Sequence, residues 1–219
     1  ARVGCDRISG RCMKDESGRF LDRPYGNSEQ GRDRRSMRLK GYDYSQVGAY
    51  FISVCTQDRE CLFGNVVSGE MQLNDPGRMI QGIWETLAER FPEVELDAFV
   101  VMPNHVHAII AIAIDAIVGA GLVPARRATT RVAPTVGDIV GAFKSLTTVS
   151  YTHGVKQLGW PAFRGKLWQR NYYEHVIRNE ESLREIRQYI ADNPAQWDFD
   201  RENPVVVVSQ KRNDGRGDS

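Results

Sequence analysis

Histidine and cysteine are both scarce in this chain of 219 residues, with four of each. Cys5, Cys12, Cys55 and Cys61 show no CxxC spacing, which argues against a cysteine-based motif. Cys55 lies in an apolar, strand-like run, so the expectation is free thiols in a reducing compartment. No apolar run approaches the length of a membrane span, which excludes a transmembrane helix from the reading. No signal-peptide pattern is read at the start. The net charge is only +1, and 41% hydrophobic with 26% charged residues is an ordinary globular mixture. A length of 219 residues suits one domain with tails, long enough to bury a proper core.

The charge is unevenly placed. From Pro124 to Arg170 there are eight basic residues, Arg126, Arg127, Arg131, Lys144, Lys156, Arg164, Lys166 and Arg170, against the single acid Asp138. Up to Lys40 there are eleven Lys or Arg against six Asp or Glu. Separated charge of this kind suggests a polyanionic partner meeting one face. Residues 1–35 lack periodicity and read as a basic, flexible N-terminal segment. Residues 204–219 read as a C-terminal tail.

Between these lies a patterned stretch. Tyr50 to Thr56 is aromatic and β-branched and reads as a strand. Residues 64–67 and 70–73 suggest a short hairpin. Ile80, Ile83, Trp84, Leu87 and Phe91 repeat at helical spacing. Val94 to Met102 is a strand, Pro103-Asn104 turns it, and His105 to Ile114 returns antiparallel. Residues 115–135 read as a surface loop. Val136, Ile139, Val140, Phe143 and Leu146 mark a second helix, and His153 beyond it is placed in a loop. Residues 172–178 read as a strand. Asn179, followed by two glutamates, starts a last helix that Asn193-Pro194 ends. The order is α+β: a ferredoxin-like antiparallel sheet with helices packed on one face.

His105-Val106-His107 is the most informative feature. Alternate residues of a strand share a face, so both imidazoles leave the sheet side by side, half of a metal site. Taken alone, a His-x-His is short and common. In the last helix Tyr189 and Asn193 are four apart and share a side. Asn193 can supply an oxygen ligand to a metal on the His pair, with the Tyr189 hydroxyl beside it. Two nitrogens and an amide oxygen suit Mg²⁺ or Mn²⁺ with phosphate better than a closed zinc site.

These residues fall into longer motifs: Val100 through His107, Leu167 through Glu180, and Tyr189-Ile190-Ala191-Asp192-Asn193-Pro194, with Arg38 through Tyr44 ahead of them. Together they resemble the HUH single-tyrosine transposases, and more closely the REP-associated tyrosine transposases, over roughly 36–203. The resemblance implies a catalytic domain over 36–203, with His105 and His107 as metal ligands, Asn193 assisting the metal and Tyr189 as nucleophile; Tyr172 and Tyr173 are its rivals. It also implies an enzyme that cleaves and rejoins single-stranded DNA next to a hairpin through a 5′-phosphotyrosine intermediate, using Mg²⁺ or Mn²⁺. Arg126, Arg127, Arg131, Lys144, Arg164, Lys166, Trp168 and Arg170 are the expected DNA-binding residues. The expected location is the cytoplasm, at the nucleoid, with no membrane partner; a homodimer is compatible with the reading.

Rival readings fare less well. A histidine-triad hydrolase needs a third histidine where Ile109 stands. Relaxases and replication initiators usually reverse the motif order or add a histidine. An RNA-binding ferredoxin-like module would need exposed aromatics on its central strands, and Tyr50 and Phe51 are poor evidence for them. The alternative kept is a domesticated, non-catalytic hairpin-DNA binding protein.

Overall fold

A computed structural model describes residues 48–112 and 134–205. Its strands are β1 (Gly48–Cys55), β2 (Gly64–Val67), β3 (Glu70–Leu73), β4 (Val94–Val101), β5 (His105–Ile112) and β6 (Tyr173–Ile177). Its helices are α1 (Asp75–Glu85), α2 (Leu87–Arg90), α3 (Val136–Gln157) and α4 (Glu180–Asp192), with 3-10 helices at Gln57–Arg59 and Pro194–Phe199. Four strands form one sheet in the order β4-β5-β1-β6, and β2 pairs β3 separately. Every pairing is antiparallel. Setting aside the β2-β3 hairpin and the single turn of α2, the chain order up to β6 is β-α-β-β-α-β, the ferredoxin-like pattern expected, and α4 follows it.

Local sequence explains the boundaries. Asn74 caps α1 by accepting from the Gly77 N–H at 2.9 Å, and a proline follows in the first turn. Thr135 and Asp138 form a reciprocal capping box at the start of α3. Asn179 accepts from Ser182 N–H, and Glu180 and Glu181 meet the positive end of α4.

Two helices differ from the sequence reading. The first stops at Glu85, where the Thr86 hydroxyl donates to the Ile83 carbonyl at 2.9 Å; the Leu87–Arg90 turn follows as α2. The second runs to Gln157, so His153 sits exposed on α3 and not in a loop. The β-branched and hydroxylated run from Thr147 to Thr152 hides the helix from a propensity reading. In the fold its hydroxyls bond back along the helix: Thr147 to Phe143 O, Thr148 to Lys144 O and Thr152 to Thr148 O, at 2.6–2.7 Å. Gly154 is required where it stands, because a Cβ there would meet the Trp160 ring at 2.1 Å.

The sheet buries both faces. Tyr50, Ile52 and Val54 of β1 and Val106, Ala108, Ile110 and Ile112 of β5 pack with Ile80 and Trp84 of α1 and Ile139, Val140, Phe143 and Tyr151 of α3. Phe51, Ile109 and Ile177 on the opposite face pack with Ile190 of α4. Helices on one face therefore describes α1 and α3, while α4 covers the other side, over the histidines.

The four cysteines divide by position. Cys55, buried, and Cys61, exposed, are both free of disulfides. Cys5 and Cys12 lie outside the described residues, as do residues 1–35, most of the expected 115–135 loop and the tail from 206.

Candidate metal centre

β5 lies between β4 and β1 at the middle of the sheet, so side chains on both its faces are buried. His105 and His107 are 0% and 3% exposed. Strand pairing sets Ser53 of β1 opposite His107. The tight turn ahead of His105 is pinned on several sides. Met102 N–H donates to His105 O, Leu62 and Phe63 N–H donate to Pro103 O, and Thr56 N–H donates to Asn104 O.

Hydrogen bonds orient both rings. The Asn104 Nδ2 donates to the carbonyls of Arg59 at 3.1 Å and Glu202 at 2.6 Å. Its Oδ1 is thereby the acceptor that faces His105 Nδ1 at 2.9 Å. His105 therefore carries its proton on Nδ1 and its lone pair on Nε2. His107 Nδ1 lies 2.8 Å from Ser53 Oγ. When Ser53 accepts, His107 also keeps its lone pair on Nε2. The two Nε2 atoms are 3.0 Å apart. In that tautomer the two lone pairs face each other and repel, and a cation between them removes the repulsion. Adjacent ligands around an octahedral ion with bonds of about 2.1 Å lie about 3 Å apart, which this spacing matches.

α4 closes the site from above the sheet. The Tyr189 hydroxyl is 3.4 Å from His107 Nε2. Phe51 stacks on His107 with centroids 5.3 Å apart and meets the Tyr189 ring edge-on at 6.0 Å. Asn193, one helical turn beyond Tyr189, is 2% exposed, and its Oδ1 is buried with no hydrogen-bond partner. Such an orphan acceptor costs about 1–3 kcal/mol unless something binds it, and a hard divalent cation is a chemically suitable partner. The buried cluster of His105 and His107 could hold a metal ion.

Sequence reasoning missed one residue here. Asp200, just after the Pro194–Phe199 helix, sets Oδ2 3.7 Å from His105 Nε2. The ligand atoms of His105, His107 and Asp200 all lie within 4.8 Å of one another. Trp197 of the same segment lies beside the His105 ring, centroids 6.0 Å apart. No spacing or periodicity marks Asp200 among its neighbours; only the fold brings it to the pair.

The other named residues scatter. Tyr173 meets Phe51 edge-on at 6.1 Å, while the Tyr172 ring lies 5.4 Å from Lys144 Nζ. Arg164, Lys166 and Arg170 are exposed. Lys144 is not a free surface cation: Nζ donates to the carbonyls of Gln169, Arg170 and Asn171 at 2.9–3.3 Å, and burial pushes its ammonium down to about 8. Trp168, expected to grip DNA, is a core residue instead, 4% exposed. Its ring packs on Phe63 and Phe143, and Nε1 donates to Thr147 Oγ1 at 2.8 Å. Arg126, Arg127 and Arg131 lie outside the described residues. No helix among the described residues is long and apolar enough to cross a membrane.

No family model matches the chain. Over 176 residues, 77% of this chain and 92% of the relative, it is 40% identical to an uncharacterized protein of Haemophilus influenzae (strain Rd). The chain belongs to the family of that Haemophilus protein. Two solved structures are similar to it. One is a REP-associated tyrosine transposase bound to a REP hairpin, with 20% identity, a TM-score of 0.44, and 73% of this chain and 74% of that chain covered. The other is a candidate transposase from Deinococcus radiodurans, with 21% identity, a TM-score of 0.39, and 71% and 95% covered.

Proposed function

We propose that the unit over 36–203 is a metal-dependent DNA strand transferase of the HUH single-tyrosine kind, acting on single-stranded DNA beside a hairpin. The observation that carries this reading is the Tyr189 hydroxyl, 3.4 Å from an imidazole nitrogen that itself faces a second imidazole nitrogen at 3.0 Å. The sequence motifs suggest the class, and a tyrosine hydroxyl beside two converging imidazoles supports it.

His105, His107 and Asn193 would hold Mg²⁺ or Mn²⁺, whose charge would polarise the scissile phosphate and offset the charge gathering on it. Everything else is done by the chain. Asn104 and Ser53 hold both rings with their Nε2 atoms converging. Phe51 supports His107 and Tyr189 together, which limits the swing of the phenol. A free tyrosine has a pKa near about 10, so Tyr189 must lose its proton as it attacks. Its oxygen forms a bond to phosphorus while the P–O3′ bond breaks, and the leaving O3′ takes up a proton. The result is a 5′-phosphotyrosine link and a free 3′-hydroxyl. Attack by the 3′-hydroxyl of another strand reverses the step, so rejoining needs no nucleotide cofactor. Exposed Arg164, Lys166 and Arg170, with Arg126, Arg127 and Arg131, would meet the DNA backbone.

The test is to incubate the protein with a hairpin oligonucleotide carrying a single-stranded flank, with Mg²⁺, Mn²⁺ or EDTA. A covalent complex that forms only with an ion, and whose linked residue is Tyr189 by mass spectrometry, is the expected result. Tight hairpin binding without any adduct would instead favour the domesticated, non-catalytic binding protein. Hydrolysed ends with no adduct would point to a metal-activated water and another enzyme class.

A further inference from the structure

The segment after α4 completes the ion site. Asp200 Oδ1 accepts from the Glu202 N–H at 2.7 Å, which leaves Oδ2 as the oxygen turned toward His105 Nε2. Their separation of 3.7 Å is too long for a hydrogen bond. With an acceptor at its Nδ1, the neutral His105 ring turns a lone pair toward this region from Nε2. A carboxylate oxygen and two imidazole nitrogens thus lie within 4.8 Å of one another. This spacing suits ligands gathered around an ion.

The carboxylate is also held there. Glu202, 8% exposed, gives its main-chain carbonyl to Asn104 Nδ2 at 2.6 Å and its carboxylate to Arg59 Nε at 2.7 Å. The hydrogen bond with Glu202 raises the Arg59 guanidinium further above its ordinary value. Asp58 and Arg59 both adopt φ of 57°, a conformation that costs non-glycine residues energy and persists where surrounding contacts enforce it. Asn104 therefore ties three segments together: its own turn, the Arg59 loop and the Asp200–Asn203 strap. It orients His105 with one end of its amide and fixes the strap that carries Asp200 with the other.

We infer that Asp200 is a charged ligand of the divalent ion, making the site two imidazoles, an amide oxygen and a carboxylate, with Glu202 and Asn104 as its positioning residues. This rests on the metal-dependent reading above. One full negative charge on a hard oxygen ligand raises affinity for a divalent cation and favours Mg²⁺ or Mn²⁺ over softer ions.

The test needs no DNA. Metal-free protein is titrated with Mn²⁺, and binding is followed by calorimetry and by the loss of the free-ion electron paramagnetic resonance signal. Asp200→Asn keeps the shape and the acceptor for Glu202 N–H while removing the charge. It should weaken Mn²⁺ binding by about tenfold or more, with the melting temperature of the metal-free protein unchanged. Asp198→Asn, an exposed change in the same segment, should bind as the parent does. Asp200→Glu keeps the carboxylate and should retain more affinity than Asp200→Asn even if both distort the strap. Equal affinity for parent and Asp200→Asn, or the reverse order of the two variants, overturns the proposal. In that case a parent protein that still forms the metal-dependent adduct leaves the proposed function standing. A parent that binds no ion overturns both.

Discussion

β5 presents two faces of opposite character from one run of eight residues. On one side Val106, Ala108, Ile110 and Ile112 meet α1 and α3 in a wholly apolar packing. On the other, His105 and His107 are also buried, together with Ser53, Asn104 and Asn193. Burying apolar surface stabilises the fold by about 25 cal/mol per Å². Burying polar groups costs free energy unless each is paired. The first face thus explains why the protein folds. The second contributes less to folding and retains an unpartnered Asn193 oxygen, which is the pattern of a site built for something other than stability.

The sharpest way to break this comparison is at Tyr189. Tyr189→Phe removes one hydroxyl and keeps the ring on Phe51 and His107, so stability should move by no more than about 1 kcal/mol. Adduct formation should fall by roughly three orders of magnitude or more, as expected when a nucleophile is deleted. Gel quantification of the covalent complex, beside a denaturant titration, reads both. An adduct rate within tenfold of the parent's would remove Tyr189 from the mechanism.

The mirror experiment lies across the sheet. Phe143 is fully buried and packs on Trp84 and Trp168, with ring centroids 5.7 and 5.6 Å away. Phe143→Ala should cost about 3–5 kcal/mol of stability, measured by urea unfolding. The adduct yield per folded molecule should change little. If that yield collapses while the protein remains folded, the two faces are coupled and the division of labour is wrong.

Ser53 offers an intermediate effect. It reaches the ion only through His107, so Ser53→Ala leaves the ligands in place but frees one ring to turn. Metal affinity should drop by about 10–100-fold, the range found for lost outer partners of a ligating histidine. Mn²⁺ titration of the metal-free variant reads this directly. An unchanged affinity would mean that Phe51 stacking alone orients His107.

What the sequence made legible follows from periodicity. Strand alternation alone placed His105 and His107 on one face, and helical spacing placed Tyr189 and Asn193 on one side of α4. Both rules act within a single element. Trp168 shows where they stop. It sits in an irregular stretch with no repeat to mark its inner side, and a backbone bridge to Thr56 and the Nε1 bond to Thr147 carry it into the core. Asp200 is illegible for the same reason: a 3-10 helix and a backbone turn, not a pattern, bring it to His105. The second half of α3 was hidden by threonines whose hydroxyls the helix itself satisfies. Contacts between segments with no period are where the fold adds what the sequence pattern does not contain.

The smallest expected effect tests the outer flank of α4, where it crosses β4. Arg187 Nε lies 3.0 Å from both carboxylate oxygens of Asp97, and Nη2 lies 2.5 Å from one of them. The Arg187 hydrogen bond holds the Asp97 carboxyl below its ordinary value, against the opposing effect of burial, and the Ala98 N–H adds to the lowering. A carboxyl depressed in the folded state stabilises above its unfolded value, near about 3.9, and loses that contribution as pH falls through the folded value. Asp97→Asn should therefore be less stable than the parent at neutral pH, and the gap should begin to close as pH falls below about 4. The pair is partly exposed, so the gap should stay under about 1 kcal/mol and shrink with added salt. Unfolding curves from pH 7 to pH 3, at low and high salt, read the difference. A gap that does not narrow at all between about pH 5 and pH 3 would mean Asp97 acts through shape at the β4 irregularity between Leu96 and Phe99, not through charge. The ion binding of this variant should equal the parent's, because Asp97 is not among the ligand atoms gathered around His105 and His107.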